Sequence, residues 1–268
     1  MKRVQLMGIL NVTPDSFSDG GKFLDPAAAV DHALQMTQQG ATIIDMGAES
    51  TRPGSTPVKP SEQIKRLLPV LKAFRKLSRV PVSIDTQSAT VARVCLDAGA
   101  SIINDISALR HDPAMLKLLA KSECDIVLMH MQGTPKTMQR KPAYRDVVAE
   151  VVAFLKARIR VCEKAGIKRS RLIIDPGIGF GKTFEHNLTL LQNIEAFAAL
   201  KVRLLLGVSR KKFLGVLTGE DTPANRAHAS ATAGVLLAQR GVDILRVHDV
   251  IEHVQALRIY DGLRANRE

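Results

Sequence analysis

The sequence predicts an α/β chain folded as a single-domain (β/α)8 TIM barrel, with mobile loops after strands 1 and 2. Three observations carry this. Eight short runs rich in Val, Ile and Leu alternate with eight stretches of helical periodicity, starting on a strand and ending on a helix. The apolar 46% of the chain includes only 8 Phe, 2 Tyr and no Trp, so the core is aliphatic, as suits parallel strands buried on both faces. No linker or low-complexity segment divides the 268 residues, so one domain spans 1–268. The same alternation fits a doubly wound open sheet, which is the second choice.

Taken in order, strands are expected at 5–12, 42–47, 82–86, 101–106, 126–131, 172–175, 203–209 and 244–249. Helices are expected at 26–39, 61–77, 88–98, 113–121, 145–165, 186–199, 223–239 and 250–263. Asp25-Pro26, Asp112-Pro113 and Thr222-Pro223 each set a capping side chain before a proline in the first helical turn. Gly40, Gly99, Gly166 and Gly241 fall where helices should stop. The loops NVTPDSFSDGGKF and GAESTRPGSTP, after strands 1 and 2, are dense in Pro, Gly, Asp and Ser, which marks irregular backbone suited to a lid.

A barrel places chemistry at the C-terminal ends of its strands. Those ends read Asn11, Asp45 with Glu49, Asp85, Asn104 with Asp105, His130, Asp175, Ser209 with Lys211, and Arg246 with His248. For Asp45 or Asp105 alone a helix cap is the simpler expectation. So many polar groups converging on one rim need partners or a ligand, because burying them unpaired is costly. His130, inside an apolar run, is expected to be a satisfied core residue.

The stretch LIIDPGIGFGKT, at 172–183, has the form of a buried strand ending in a carboxylate, followed by a glycine-rich loop able to lie close to a flat or anionic ligand. Two nucleotide fingerprints fail on spacing. A P-loop needs glycine where Pro176 stands, and the dinucleotide motif counted from Gly177 needs glycine where Lys182 stands.

The net charge of +12 is spread along the chain without interleaved aromatics, which disfavours a nucleic-acid partner and suits general attraction of small anions. Cys95, Cys124 and Cys162 show no ligand spacing and no disulfide framework. With no secretory leader and no apolar run of membrane length, a cytoplasmic protein without a membrane partner is expected.

MGILNVTPDSFSDGG at 7–21, GAESTRPG at 47–54, INDI at 103–106, LMHMQGTPKTMQ at 128–139, DPGIGFGK at 175–182, GVSRKKFLG at 207–215 and RVHDV at 246–250 together resemble, in order, the motif series of the bacterial dihydropteroate synthases. The resemblance implies a TIM barrel that condenses 6-hydroxymethyl-7,8-dihydropterin pyrophosphate with p-aminobenzoate, giving 7,8-dihydropteroate and pyrophosphate in folate synthesis. It also implies Mg2+, a homodimer packed through late helices, and competition by sulfonamides.

By motif position, Asp175 would accept from the pterin's donor edge, with Asn104 and Asp85 reading neighbouring atoms, while Lys211 would reach its O4 and N5 and Arg246 would lie over the ring. A carboxylate suits ring donors and a cation suits ring acceptors. Phe17, Thr51, Pro53, Phe180, Ser209 and Lys211 would form the p-aminobenzoate pocket. Asn11, Arg52, Arg246 and His248 would meet the pyrophosphate, and Asn11 with Asp19 would hold Mg2+. Lys211, Arg246, His248 and Asp85 are the candidate catalytic residues, with no strong general base among them. The chain departs from the family pattern at Gln87-Ser88-Ala89, at Ala48 and at 225–230, none of which removes an assigned residue. The alternatives are a non-catalytic pterin-binding paralogue and a pterin-dependent methyltransferase-type barrel.

Overall fold

The computed structural model describes residues 4–13, 26–49 and 55–264. Its eight strands are β1 (Gln5–Asn11), β2 (Ile43–Gly47), β3 (Val82–Asp85), β4 (Ile102–Asp105), β5 (Asp125–Met129), β6 (Leu172–Asp175), β7 (Arg203–Leu206) and β8 (Ile244–Val247). They close in sequence order into a parallel barrel, β8 pairing β1 with Gln5 opposite Ile244 and Gly8 opposite Val247. The open-sheet alternative is therefore set aside.

Helices cover the outside: α1 (Pro26–Gln39), α2 (Pro60–Leu77), α3 (Ala89–Asp97), α4 (Pro113–Ala120), α5 (Val147–Lys164), α6 (Phe184–Gln192), α7 (Ile194–Ala198), α8 (Lys212–Thr218), α9 (Ala227–Gln239) and α10 (Val250–Arg264). Their apolar stripes meet the outward faces of the strands, and Phe74 of α2 and Phe197 of α7 are fully buried in that layer.

The predicted helix at 186–199 is two helices, broken at Asn193, whose amide side chain turns back to donate to Thr189 O at 2.8 Å. The helix α8 was not foreseen. It is only seven residues long and ends at Gly219, which has φ +72°. Asp112 caps α4 as expected, its Oδ1 accepting from Ala114 N at 2.9 Å, and its Oδ2 accepts from Ala89 N at the start of α3. Thr222 does not cap: its side chain makes no capping bond, and the segment it precedes, Pro223–Arg226, is a 3-10 turn leading into α9. Asp25 lies outside the described residues. Gly40, Gly99, Gly166 and Gly241 all stand at helix ends with φ between +85° and +115°.

Inside the barrel, Met7, Ile43, Ile102, Val127, Ile173, Leu205 and Ile244 form a closed apolar floor from seven strands. Side chains alternate along a strand, so the residue two places on faces inward again, one tier nearer the C-terminal rim. That tier reads Ile9, Asp45, Asn104, Met129, Asp175, Gly207 and Arg246, with Asp85 following Ser83 on β3. A polar ring on an apolar floor follows from the strand period alone.

Candidate active site

Arg246 stands at the centre of that ring. Its Nε donates to Asp45 Oδ2 at 2.6 Å and its Nη2 to Asp85 Oδ2 at 3.2 Å. Asn104 Nδ2 donates to the same Asp45 oxygen at 3.2 Å. Asp45 is thus no helix cap, as the sequence had suggested; it is wholly buried and holds two neighbours of the ring. Asp105, one residue past Asn104 and so on the opposite face, does bind its own turn, accepting from Ser107 N at 2.7 Å and Leu109 N at 3.1 Å.

Burial pushes the Asp85 carboxyl up to about 7, with Arg246 pulling it down and the Asp45 charge adding to the rise. Asp175 is also raised by burial, against the pull of Lys211 and of the Gly177 N–H, which donates to its Oδ1 at 2.7 Å.

Gly207, in phase with Arg246 on the neighbouring strand, leaves room: a Cβ there would stand 3.8 Å from Arg246 Cβ and 3.9 Å from Lys211 Nζ. Lys211 rises through this gap. Its Nζ donates to Ile178 O and lies 4.7 Å from the centre of the Phe180 ring. Burial lowers it to about 8, with Asp175 opposing the fall and Arg246 adding to it.

Ser209 is buried, and its Oγ accepts from His248 N at 3.2 Å and meets His248 Nδ1 at 3.1 Å, joining the loops after β7 and β8. Between Ser209 and Lys211, Arg210 takes φ +59° and grips Asp249 with two guanidinium nitrogens, Nε to Oδ2 at 2.9 Å, while its N–H donates to Ser230 Oγ of α9. Phe180 covers a rim cluster of Ile106, Met129, Met131 and Met138.

The structure therefore gathers Asp85, Asn104, Asp175, Lys211 and Arg246 in one ring and sets Phe180, Ser209 and His248 on its rim. Asn11 ends β1 at the same rim, its Oδ1 3.9 Å from where a Cβ on Gly47 would stand. Phe17, Asp19, Thr51, Arg52 and Pro53, and with them the predicted lid, lie outside the described residues. Asp45, placed at the rim by the sequence but expected to be a helix cap, is the ring residue to which sequence reasoning gave no part in the site. Its signal was available, for Ile43-Ile44-Asp45 repeats the phase of Ile102-Ile103-Asn104, Ile173-Ile174-Asp175 and Ile244-Leu245-Arg246.

His130 is a satisfied buried residue, as expected. Its ring meets Phe154 edge-on at 4.9 Å, and burial, helped by the charges of Lys182 and Arg110, lowers it to about 3. Among the described residues no helix is long and apolar enough to cross a membrane.

Residues 7–248 match the family of pterin binding enzymes. The dihydropteroate synthase of Escherichia coli strain K12 is 45% identical over 98% of this chain and 93% of its own length. The chain belongs to the dihydropteroate synthase family. Among solved members, the Xanthomonas albilineans dihydropteroate synthase with 4-aminobenzoic acid has a TM-score of 0.93 at 45% identity, covering 98% of this chain and 94% of that one. The Yersinia pestis dihydropteroate synthase in a sulfonamide drug complex has a TM-score of 0.93 at 42% identity, covering 98% and 95%. Membership makes the chain a pterin-binding transferase, in keeping with a ring of paired carboxylates and cations on a barrel's C-terminal rim.

Proposed function

We propose that this chain joins 6-hydroxymethyl-7,8-dihydropterin pyrophosphate to p-aminobenzoate, forming 7,8-dihydropteroate and releasing pyrophosphate. The observation that carries the reading is the ring of Asp85, Asn104, Asp175 and Arg246 with Lys211 entering above it. Asp175, Asn104 and Asp85 accept from the 2-amino and N3–H edge of the pterin, Lys211 donates to O4 and N5, and the Arg246 guanidinium lies along the ring face.

As the bond from the exocyclic methylene to oxygen breaks, negative charge builds on pyrophosphate and positive charge on the pterin. Arg246 and His248 meet the first, with Arg52 from the second loop. The ring carboxylates favour the second. The p-aminobenzoate nitrogen then bonds to the methylene. Its proton leaves an arylammonium acidic enough to need no strong base. Ser209 and Lys211 receive the p-aminobenzoate carboxylate, and Phe180 packs on its ring, with Phe17, Thr51 and Pro53 closing the pocket. A sulfonamide offers the same aniline and anionic end, so it competes there, in line with the complex of the Yersinia relative.

Mg2+ is the proposed cofactor: it commonly takes few protein ligands and completes its shell with water and substrate phosphates, and the Asn11 side-chain oxygen at the end of β1 is a donor of the kind it takes. Asn11, with Asp19, would hold it at the rim, where it would neutralise charge on the departing pyrophosphate. The proposed assembly is a homodimer, supported by large apolar side chains left exposed on α8, α9 and α10, and the proposed location is the cytoplasm.

The test is pyrophosphate release from the pterin substrate with Mg2+, with and without p-aminobenzoate, by the wild type and Lys211→Ala. Release that requires p-aminobenzoate and falls by about 100-fold or more in the variant is the expected result. A wild type that binds the pterin yet releases nothing above background is instead a binding paralogue.

A further inference from the structure

The glycine-rich loop between β6 and α6 carries an organisation that the reaction itself does not use. Three of its residues bend into the left-handed region, Gly177 at φ +70°, Gly179 at +82° and Gly181 at +61°. These bends turn successive carbonyls to different sides, and each of five in a row meets a side-chain donor. Lys182 Nζ donates to Gly177 O and to Phe180 O, both at 2.9 Å. Lys211 Nζ takes Ile178 O, Gln139 Nε2 takes Gly179 O at 2.8 Å, and Tyr144 Oη takes Gly181 O at 2.8 Å.

Lys182 is the inner member of this set and is only 3% exposed. An ammonium has three protons, and Nζ has three short partners: the two loop carbonyls and His130 Nδ1 at 3.0 Å. His130 O lies further off at 3.4 Å. For Nδ1 to accept, the imidazole must be neutral with its proton on Nε2. Its burial beside Phe154 and Tyr144 favours that form.

We propose that Lys182 is a positioning residue for the p-aminobenzoate side of the site: with His130 it pins the 177–181 loop to the end of β5, and so fixes Phe180 and the carbonyl that holds Lys211. The inference rests on the reaction proposed above. Its consequence is selective. Asp45, Asp85, Asn104, Asp175 and Arg246 stand on barrel strands and make no hydrogen bond to Lys182; of these only Asp175 is tied to the loop, through the Gly177 N–H, so most of the pterin's donor edge is read without it. Phe180 and the Lys211 tip depend on the loop.

The experiment is steady-state kinetics on Lys182→Met, which keeps the length of the side chain and removes its donors, together with His130→Leu and His130→Gln. In Lys182→Met and His130→Leu the KM for p-aminobenzoate rises tenfold or more, and that for the pterin pyrophosphate, which shares Lys211 but keeps the strand-borne Asp85, Asn104 and Asp175, rises by no more than about threefold. His130→Gln, which retains an acceptor, stays near the wild type. A merely structural role would move both KM values by the same factor or neither, and either result in Lys182→Met overturns the proposal. If Lys182→Met fails to fold, an unchanged p-aminobenzoate KM in His130→Leu overturns it. Wild-type turnover in the same assay keeps failure of the reaction assignment distinct from failure of this one.

Discussion

Asp45 shows how much of the site depends on a residue that need not touch substrate. Its Oδ2 receives both Arg246 Nε and Asn104 Nδ2, so one buried carboxylate sets the rotamers of two groups assigned to the pterin. Removing one partner of a buried ion pair costs about 3–5 kcal/mol, which makes Asp45→Ala a folding experiment. Asp45→Asn is the informative change, because it keeps the shape and one acceptor while cancelling the charge that orients the guanidinium. Arg246 then keeps only Asp85 as a carboxylate partner. A misplacement of about 1 Å at a reacting centre costs roughly 100-fold in rate. The expected outcome is a kcat lower by about 10- to 100-fold, with the KM for p-aminobenzoate within about twofold and a melting transition that stays cooperative. Unchanged kcat would show that Asp85 alone orients the arginine. Asp45 was legible in principle from the phase it shares with Asn104, Asp175 and Arg246. It was given no part in the site because a carboxylate before a helix has a commoner use as a cap.

At the scale of elements, the loop after β6 and the helix ends use glycine for different reasons, and substitution separates them. Gly241 and Gly166 both take positive φ after a helix with open space around the missing Cβ. Gly166→Ala should cost only the left-handed penalty, about 1 kcal/mol, with activity intact. At Gly177 the Cβ would stand 2.0 Å from His130 O, so the same change must part the loop from β5. Gly177→Ala should therefore cost more than about 2 kcal/mol in denaturant unfolding and raise the p-aminobenzoate KM as well. Equal costs at the two sites would mean that the β5–β6 contact adjusts freely. The strands were readable because period and composition both mark them, and β6 spans the aliphatic run and the carboxylate that closes it. Two outer elements were not. A seven-residue helix such as α8 is too short to show a period, and the break at Asn193 depends on a side chain turning back to Thr189 O, which periodicity does not register.

Over the whole molecule, the helices that hold the Ser209–Lys211 turn are also those with the most exposed apolar surface. Val216 and Leu217 of α8, Leu236 of α9, and Ile259 and Leu263 of α10 are 55% to 74% exposed. A lone exposed leucine needs no explanation, but five large apolar side chains exposed on three late helices suit the proposed interface. On the buried side of α9, Ser230 Oγ receives Arg210 N, and Arg226, in the 3-10 turn before α9, donates Nη1 to Arg210 O at 3.1 Å. The proposed homodimer would thus brace from behind the turn that carries Ser209 and Lys211. Sedimentation velocity should give twice the chain mass. Leu236→Glu combined with Ile259→Glu, which would bury two carboxylates in the interface, should give the single chain. Because the brace lies behind Lys211 and away from the strand-borne carboxylates, the dissociated variant should lose turnover while still binding the pterin. A single-chain wild type would remove the dimer from the proposal, and a dissociated variant with full turnover would show that α8 and α9 hold the turn without help.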